Sequence, residues 1–357
     1  MIKIGITQGD INGVGYEVII KTLEDTRMLE LFTPVIYGSA KIAHFYCKAI
    51  GMANIQLNQI ADPDEALDGA INIINVVDED VKPVPGELSA EAGNAAFAAL
   101  IRAVADAKER KIDAIVTAPI SKNSIQSDDF AFPGHTEYLA DQTGAAPLMI
   151  LFDRNVRIAL VTTHLPVGKI AEAITVDTVV DKIKLLNNAL VADFGIVKPR
   201  VAVLSLNPHA GEEGLLGSEE NEVIIPAIAK AADERINCFG PYAADGFFGS
   251  GQYAKFDGVL AMYHDQGLAP FKTIAMDRGV NYTAGLPIVR TSPDHGTAFD
   301  IAGKGLASET SMREAIYAAI DIVRNRRLHA DRTRNPLRRQ YFDKSKDNVV
   351  LDLSKDD

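Results

Sequence analysis

Two cysteines and no tryptophan occur in 357 residues. Cys47 and Cys238 sit in no CxxC or other metal-ligand spacing, so neither a disulfide framework nor a cysteine-based zinc site can be built on them. They read as small core residues in a reducing compartment. Basic charge is also short: 36 Lys and Arg face 48 Asp and Glu, for a net charge of −12. Nucleic acid is excluded on that balance, because its phosphates would be repelled without a large basic face. A small anion stays possible where a few Lys or Arg gather. No apolar run approaches the length that spans a bilayer. The opening MIKIGITQGD has no basic segment leading into an apolar one, so no signal peptide is expected. These absences point to a cytoplasmic enzyme or binding protein without membrane contact.

What is present is an alternation of short β-rich runs with longer helical stretches, the pattern of α/β layers around a mainly parallel sheet. Strands are expected at 2–7, 34–38, 71–76, 113–118, 157–163, 200–206 and 258–263. Their nearly continuous apolar character suits strands covered on both faces. Helices are expected at 90–110 and 177–193. A capping box of Ser311 and Glu314 is expected to open a last helix running to about Asn325. Beyond Arg324 the charges alternate with few apolar anchors, which predicts a solvated extension.

Three of these strands end alike. RIALVTTHLP delivers His164, RVAVLSLNPHAGE delivers His209 and GVLAMYHDQG delivers His264. Ligands of parallel α/β sheets bind outside the carboxyl ends of the strands. Three imidazoles there can hold a divalent transition metal and leave a position for water or substrate. The spacing matches no local metal motif, and hydrogen-bonded scaffold histidines remain the alternative.

Other polar clusters share the theme. FPGHTEYLA places His135 and Thr136 where a helix opens, a position suited to an oxyanion. VTAPISK places Lys122 just past a strand. Lys272, Asn281 and Arg290 fall in sequence that reads as loop. Together they supply the local positive charge an acidic protein needs to hold a phosphate or carboxylate. The first turn, TQGDINGVGYE, carries Gly9, Gly13 and Gly15 between strand and helix but has Val18 where the dinucleotide fingerprint needs its last glycine. A tight strand-to-helix turn is the preferred reading.

Taken in order, ITQGDINGVGYE, TAPISK, FPGHTEYLA, TTHLP, LNPHAGEEG, LAMYHDQGLAPFK and GVNYTAGLPIVRTSPDHGTAFDIAGKG resemble the 4-hydroxythreonine-4-phosphate dehydrogenase family of pyridoxal phosphate biosynthesis. The resemblance runs from Ile4 to about Arg324. It implies that His164, His209 and His264 bind a divalent metal (zinc, alternatively magnesium or cobalt) at a site shared across a homodimer interface. It implies substrate contacts at His135, Thr136, Lys272, Asn281 and Arg290. DHGTAFDIAGKG also looks like the cofactor loop of isocitrate and isopropylmalate dehydrogenases, which bind NAD or NADP without a Rossmann fold. By that analogy His295, Gly296 and Thr297 lie near the nucleotide. The fold implied is two α/β/α domains with a cleft between them. Residues 1–125 with 280–330 would form a discontinuous first domain, 126–279 a second carrying the metal ligands and dimer interface, and 331–357 a charged extension.

The reaction implied is NAD(P)-dependent oxidation and decarboxylation of 4-phosphooxy-L-threonine to 3-amino-2-oxopropyl phosphate. Lys272 and Asp245 are the candidate catalytic groups, and the general base is left open between them. Dehydrogenation of threonate or erythronate 4-phosphate is the nearest alternative. A metal-dependent hydrolase and a non-catalytic binding protein are more distant ones. Ile11, Asn12 and Tyr16 depart from the family's usual GDPAGIGPE, as does Gly246 from the threonine that often follows Asp245.

Overall fold

Ile4 and Ile6 on the first strand enter one apolar core, while Gly5 between them lies against Tyr37 and Ile112 of another. This alternation is what a strand covered on both faces must show. The computed structural model describes residues 1–78, 80–125, 132 and 134–335. Its strands are β1 (Lys3–Thr7), β2 (Thr33–Gly38), β3 (Leu57–Ile60), β4 (Ile71–Asn75), β5 (Ala114–Thr117) and β6 (Leu148–Phe152). They continue with β7 (Arg157–Leu160), β8 (Val201–Leu204), β9 (Cys238–Tyr242), β10 (Gly258–Ala261), β11 (Val280–Ala284) and β12 (Val289–Pro293). The helices are α1 (Gly15–Glu24), α2 (Ala40–Ala49), α3 (Ala90–Lys108), α4 (Lys122–Ile125) and α5 (His135–Thr143). After them come α6 (Ile170–Ala173), α7 (Val176–Ala192), α8 (Ile225–Asp233), α9 (Ala244–Gly249), α10 (His264–Ala275) and α11 (Thr310–Arg334).

The twelve strands form one sheet in the order β3-β4-β2-β1-β5-β12-β11-β6-β7-β10-β8-β9. The α/β expectation holds, and all seven expected strands are present. The sheet is parallel on either side of a central reversal. β11 runs antiparallel to both β12 and β6, and β6 antiparallel to β7. One continuous core packs α1, α2, α7, α8 and α11 on one face. On the other face there are two separate cores, one under α3 and α5 and one under α9 and α10. Strand twist of about 20–25° per pair accumulates to roughly 100–125° over the five pairings from β5 to β10. The carboxyl ends of the two parallel groups therefore approach each other obliquely over that second face.

Several expectations need correction. Lys272 lies on α10, Asn281 on β11 and Arg290 on β12, none of them in a loop. The polar residues of β11 and β12 face the pocket described below, so the strands lack the apolar run that marks the others. β6, the apolar run LMILF, and the short edge strands β3 and β9 were also absent from the expectation. Ser311 forms no capping box: α11 has Glu309 at its N-cap, and the Ser311 hydroxyl donates to Gly279 O at 2.6 Å. The helix continues to Arg334, into the stretch expected to be a solvated extension. Residues 336–357 of that extension lie outside the described residues.

HDQG is the start of a helix. β10 stops at Ala261, and His264 opens α10. Gln266 reaches back, accepting from Met262 N at 2.7 Å and donating to Ser205 O at 2.6 Å, which ties the ends of β10 and β8 together. The first turn is similarly tight. Gly9 has φ +70, and a Cβ there would lie 2.4 Å from Pro119 O. The departing residues of this turn make their own bonds: Asn12 accepts from Val84 N at 2.7 Å, and the Tyr16 hydroxyl donates to Gln8 Oε1 at 2.6 Å.

Candidate active site

The two cores on the second face leave a cleft of about 350 Å³ between them. Its floor is the sheet where the strand direction reverses. Asn281 pairs in register with Ser292 and with Leu151, and all three line the cleft. Alternation along β12 brings Arg290 and Ser292 onto this face, with Asp294 next in the series. The wall from α10 is a helical stripe, His264, Leu268 and Lys272, at four-residue spacing. Opposite stand Lys122 and the α5 residues His135, Thr136 and Glu137.

Arg290 is the unusual group. It is only 3% exposed, yet among the described residues it has no carboxylate within ion-pair distance. Its nitrogens bond Thr117 Oγ1 at 3.1 and 2.6 Å and Thr283 Oγ1 at 3.1 Å. Burial lowers its pKa to about 10, against a smaller opposing effect of Glu137. His135 beside it is held well below the ordinary imidazole value, chiefly by burial and then by the Arg290 charge. It is therefore neutral at pH 7, and among the described residues its buried Nε2 has no partner. A buried cation without a counterion costs several kcal/mol unless something anionic compensates it.

The other end of the cleft is rich in acid–base groups. His164 and His264 have ring centroids 6.0 Å apart and are each about 40% exposed. His164 Nδ1 faces Glu137 Oε1 at 3.4 Å and its Nε2 faces Lys122 Nζ at 3.4 Å. The bond from His164 is the main reason that the Glu137 carboxyl lies below its usual range. His264 Nδ1 lies 2.8 Å from Asp265 Oδ1. A carboxylate on Nδ1 is how metal-binding imidazoles are held, so these two fit part of a ligand set, with Lys122 Nζ lying against His164 Nε2. Among the described residues no three His, Cys, Asp or Glu groups of this single chain come together as a metal site.

The structure gathers His135, Thr136, His164, His264, Lys272, Asn281, Arg290, His295 and Gly296 around one cleft. His209, Asp245 and Thr297 are not on its wall. His209 is exposed, on a turn after β8 where residues 209–213 all have positive φ. Asp245 is exposed in the first turn of α9. Thr297 O accepts from Val14 N at 3.0 Å and packs against Gly13. His295 bonds Gly296 O through Nδ1 at 3.0 Å, while its Nε2 is buried without a partner among the described residues. It thus braces its loop and still faces the cleft. Sequence reasoning gave no role to Thr117, Thr283, Glu137 or Asp294. The alternation Arg290, Ser292, Asp294 was the signal that could have shown the last of these.

A second cleft of about 430 Å³ lies beside α11. Its Arg154, Arg278 and Arg324 pair with Glu314, Asp277 and Asp321, Arg157 donates to Asp257 O and lies over the Phe194 ring, and Asp153 and Asp193 add further negative charge to the wall, so it offers less to an anion than the Arg290 cleft does.

Residues 30–319 match the family described as pyridoxal phosphate biosynthetic protein PdxA. The chain belongs to the PdxA family. It is 57% identical over 355 residues to a 4-hydroxythreonine-4-phosphate dehydrogenase of Bacteroides thetaiotaomicron, covering 99% of this chain and 97% of the relative. It is 40% identical to a D-threonate 4-phosphate dehydrogenase of Cupriavidus necator, covering 90% and 98%. A solved 4-hydroxythreonine-4-phosphate dehydrogenase from Klebsiella pneumoniae is 36% identical, superposes with a TM-score of 0.79 and is covered over 98% of its length, against 90% of this chain. Membership of the PdxA family makes the chain an oxidoreductase. No described helix is long and apolar enough to cross a membrane.

Proposed function

We propose that this PdxA-family chain oxidises and decarboxylates 4-phosphooxy-L-threonine to 3-amino-2-oxopropyl phosphate, using NAD or NADP and a divalent metal, in pyridoxine 5′-phosphate biosynthesis. The observation that carries the reading is Arg290, a buried guanidinium that has no carboxylate partner among the described residues, beside a neutral His135 whose Nε2 has no partner among them either. Together with Thr136 and the Asn281 amide on the same wall they make a recess for a phosphate or carboxylate oxygen, to which the Asn281 NH2 can donate. Lys272, on the cleft wall with these groups, is proposed as the group that moves the substrate's proton. When bound, the metal polarises the alcohol oxygen and the nicotinamide accepts the hydride. His295 and Gly296 are proposed as contacts to that nicotinamide cofactor, and Thr297 as a support through the first turn.

His164 and His264 are proposed as two metal ligands, with His209 as the third, supplied by a second copy of the chain. Support comes from the exposed apolar residues beside both loops: Leu165 and Val167 next to His164, and Leu215 and Leu216 beyond His209. Such residues suit a homodimer interface around the site. Asp245, also outside its own cleft, is proposed to act across the same interface. The left-handed turn at His209 is strain of the kind kept at functional positions. Zinc is the metal first tested, with magnesium and cobalt as alternatives. The two halves of the sheet are proposed as two domains, 1–125 with 280–330 and 126–279, closing on the substrate between them.

Oxidation of threonate 4-phosphate is the second reading, favoured by the 40% identity to the Cupriavidus enzyme of that name. The test is appearance of the reduced-nicotinamide absorbance with each substrate, before and after chelation and with metal restored. Turnover of 4-phosphooxy-L-threonine alone supports the first reading, and turnover of threonate 4-phosphate alone replaces it with the second. No turnover of either by folded, metal-loaded protein overturns both.

A further inference from the structure

Asp294 has no part in the reading above, and it is the more buried of the two carboxylates on the wall of the cleft. Its side chain is 10% exposed, against 29% for Glu137. The backbone fixes its direction: Asp294 N donates to Ser311 Oγ at 3.1 Å and to Gly279 O at 3.2 Å, while Ser311 itself donates to Gly279 O. One carboxylate oxygen, Oδ1, lies 3.7 Å from Lys272 Nζ. The other, Oδ2, is buried with no partner among the described residues. The charged groups acting on the carboxyl are Lys272 and His264 from α10, while Ser311 of α11 holds its backbone and His295 follows it in the loop. Burial raises its proton affinity, against the smaller pull of Lys272 and His264.

Building on the dehydrogenase reading, we propose that Asp294 is the proton partner of Lys272, a positioning residue that stores the ammonium proton while the amine works on the substrate. The exchange balances. Lys272 first gives a proton to Asp294 and becomes a neutral amine. As the carbinol C–H leaves as hydride to the oxidised nicotinamide, the C=O bond forms and the hydroxyl proton passes to Lys272. The C–C bond to the carboxylate then breaks, CO₂ departs, and the bonding pair forms an enolate. The proton stored on Asp294 returns through Lys272 to the carbon that lost CO₂. The hydroxyl proton replaces it on Lys272, so the pair ends as it began and no net proton is released. Asp294 is the shielded member of the pair: its side chain is 10% exposed against 41% for Lys272, so a proton held on the carboxyl exchanges with solvent more slowly than one held on the amine.

The test compares wild type, Asp294→Asn and Asp294→Glu as metal-loaded full-length protein, with unfolding midpoints measured alongside. Expected for Asp294→Asn is a kcat lowered about 10- to 100-fold with KM within about threefold, the range of a lost proton-transfer group. Its kcat recovers as pH rises, because solvent then deprotonates the isolated Lys272, and Asp294→Glu keeps more activity. A loss independent of pH, or a raised KM at unchanged kcat, overturns the proposal. Acylation of Lys272 with acetic anhydride, followed by mass spectrometry across pH, gives a readout without turnover. The pH of half-labelling should be lower in Asp294→Asn than in wild type, and an unchanged value overturns the pairing. If wild type oxidises neither four-carbon phosphate, the dehydrogenase reading fails, while this labelling still decides whether the two side chains are coupled.

Discussion

Arg290 grips the single hydroxyl of Thr117 with two nitrogens, Nε at 3.1 Å and Nη2 at 2.6 Å. The contact crosses 173 residues of sequence and joins neighbouring strands, β5 and β12. Among the described residues the partners that orient this buried guanidinium are all neutral, which leaves the charge available to a ligand. Arg290→Lys keeps the charge but cannot reach Thr117 and Thr283 together. We expect kcat/KM for the phosphorylated substrate to fall by about 2–3 kcal/mol in transition-state binding, mostly through KM. Steady-state kinetics at saturating nicotinamide measures it, and an unchanged KM would count against an anion site here.

His135 gives a pH prediction. Its folded pKa lies below the ordinary 6.5, so between those values the unfolded chain binds more protons. The stability contributed by the neutral ring is complete above about pH 6.5 and is lost as pH falls below it. Buried Asp294 and Asp10 have raised values and act in the opposite sense, but they do so equally in a variant. Urea unfolding at about pH 7 and pH 5 should therefore show a smaller acid loss for His135→Gln than for wild type, by about 1 kcal/mol per pH unit. Equal slopes would mean the ring is not buried neutral.

The first turn is set by backbone proximity. Ala at Gly9 would combine a φ of +70 with a Cβ at 2.4 Å from Pro119 O. Gly9→Ala should cost about 2–4 kcal/mol from left-handed strain and crowding. Denaturant titration checks this. Because Pro119 lies on the cleft wall, the variant should also lose turnover.

A shared metal site predicts complementation between inactive variants. Lys272→Ala and His209→Ala should each be inactive alone. Mixed after reversible dissociation, half the dimers are heterodimers with one intact site of two, so about a quarter of wild-type activity should return. No recovery, with heterodimers shown to have formed, places His209 in its own chain's site or in none.

Much of the site could be read from the order of residues because each strand hands its chemistry to the segment beyond it. The runs before His164 and His264 are apolar on both faces, so strand, edge and exit point follow from periodicity. His135 and Thr136 were legible as a helix opening for the same kind of local reason. Asn281 and Arg290 were placed in loop sequence because β11 and β12 expose polar side chains to a cleft, which removes the apolar signal that marks a buried strand. Lys272 was missed as helical because α10 contains Pro270 and opens directly from β10.

The sequence by itself determined the α/β class, the strands that lead to the histidines and the family, since these rest on local pattern and on motif order. Only the tertiary structure decided which polar groups meet. A sheet whose strand direction reverses at β11 and β6, twisting as it goes, brings the end of β5 to the end of β10 and sets Asp294 against Lys272. It also leaves His209 exposed and off the wall of its own chain's cleft. Distances of that kind depend on how separate segments pack, and the order of residues along the chain carries no direct record of them.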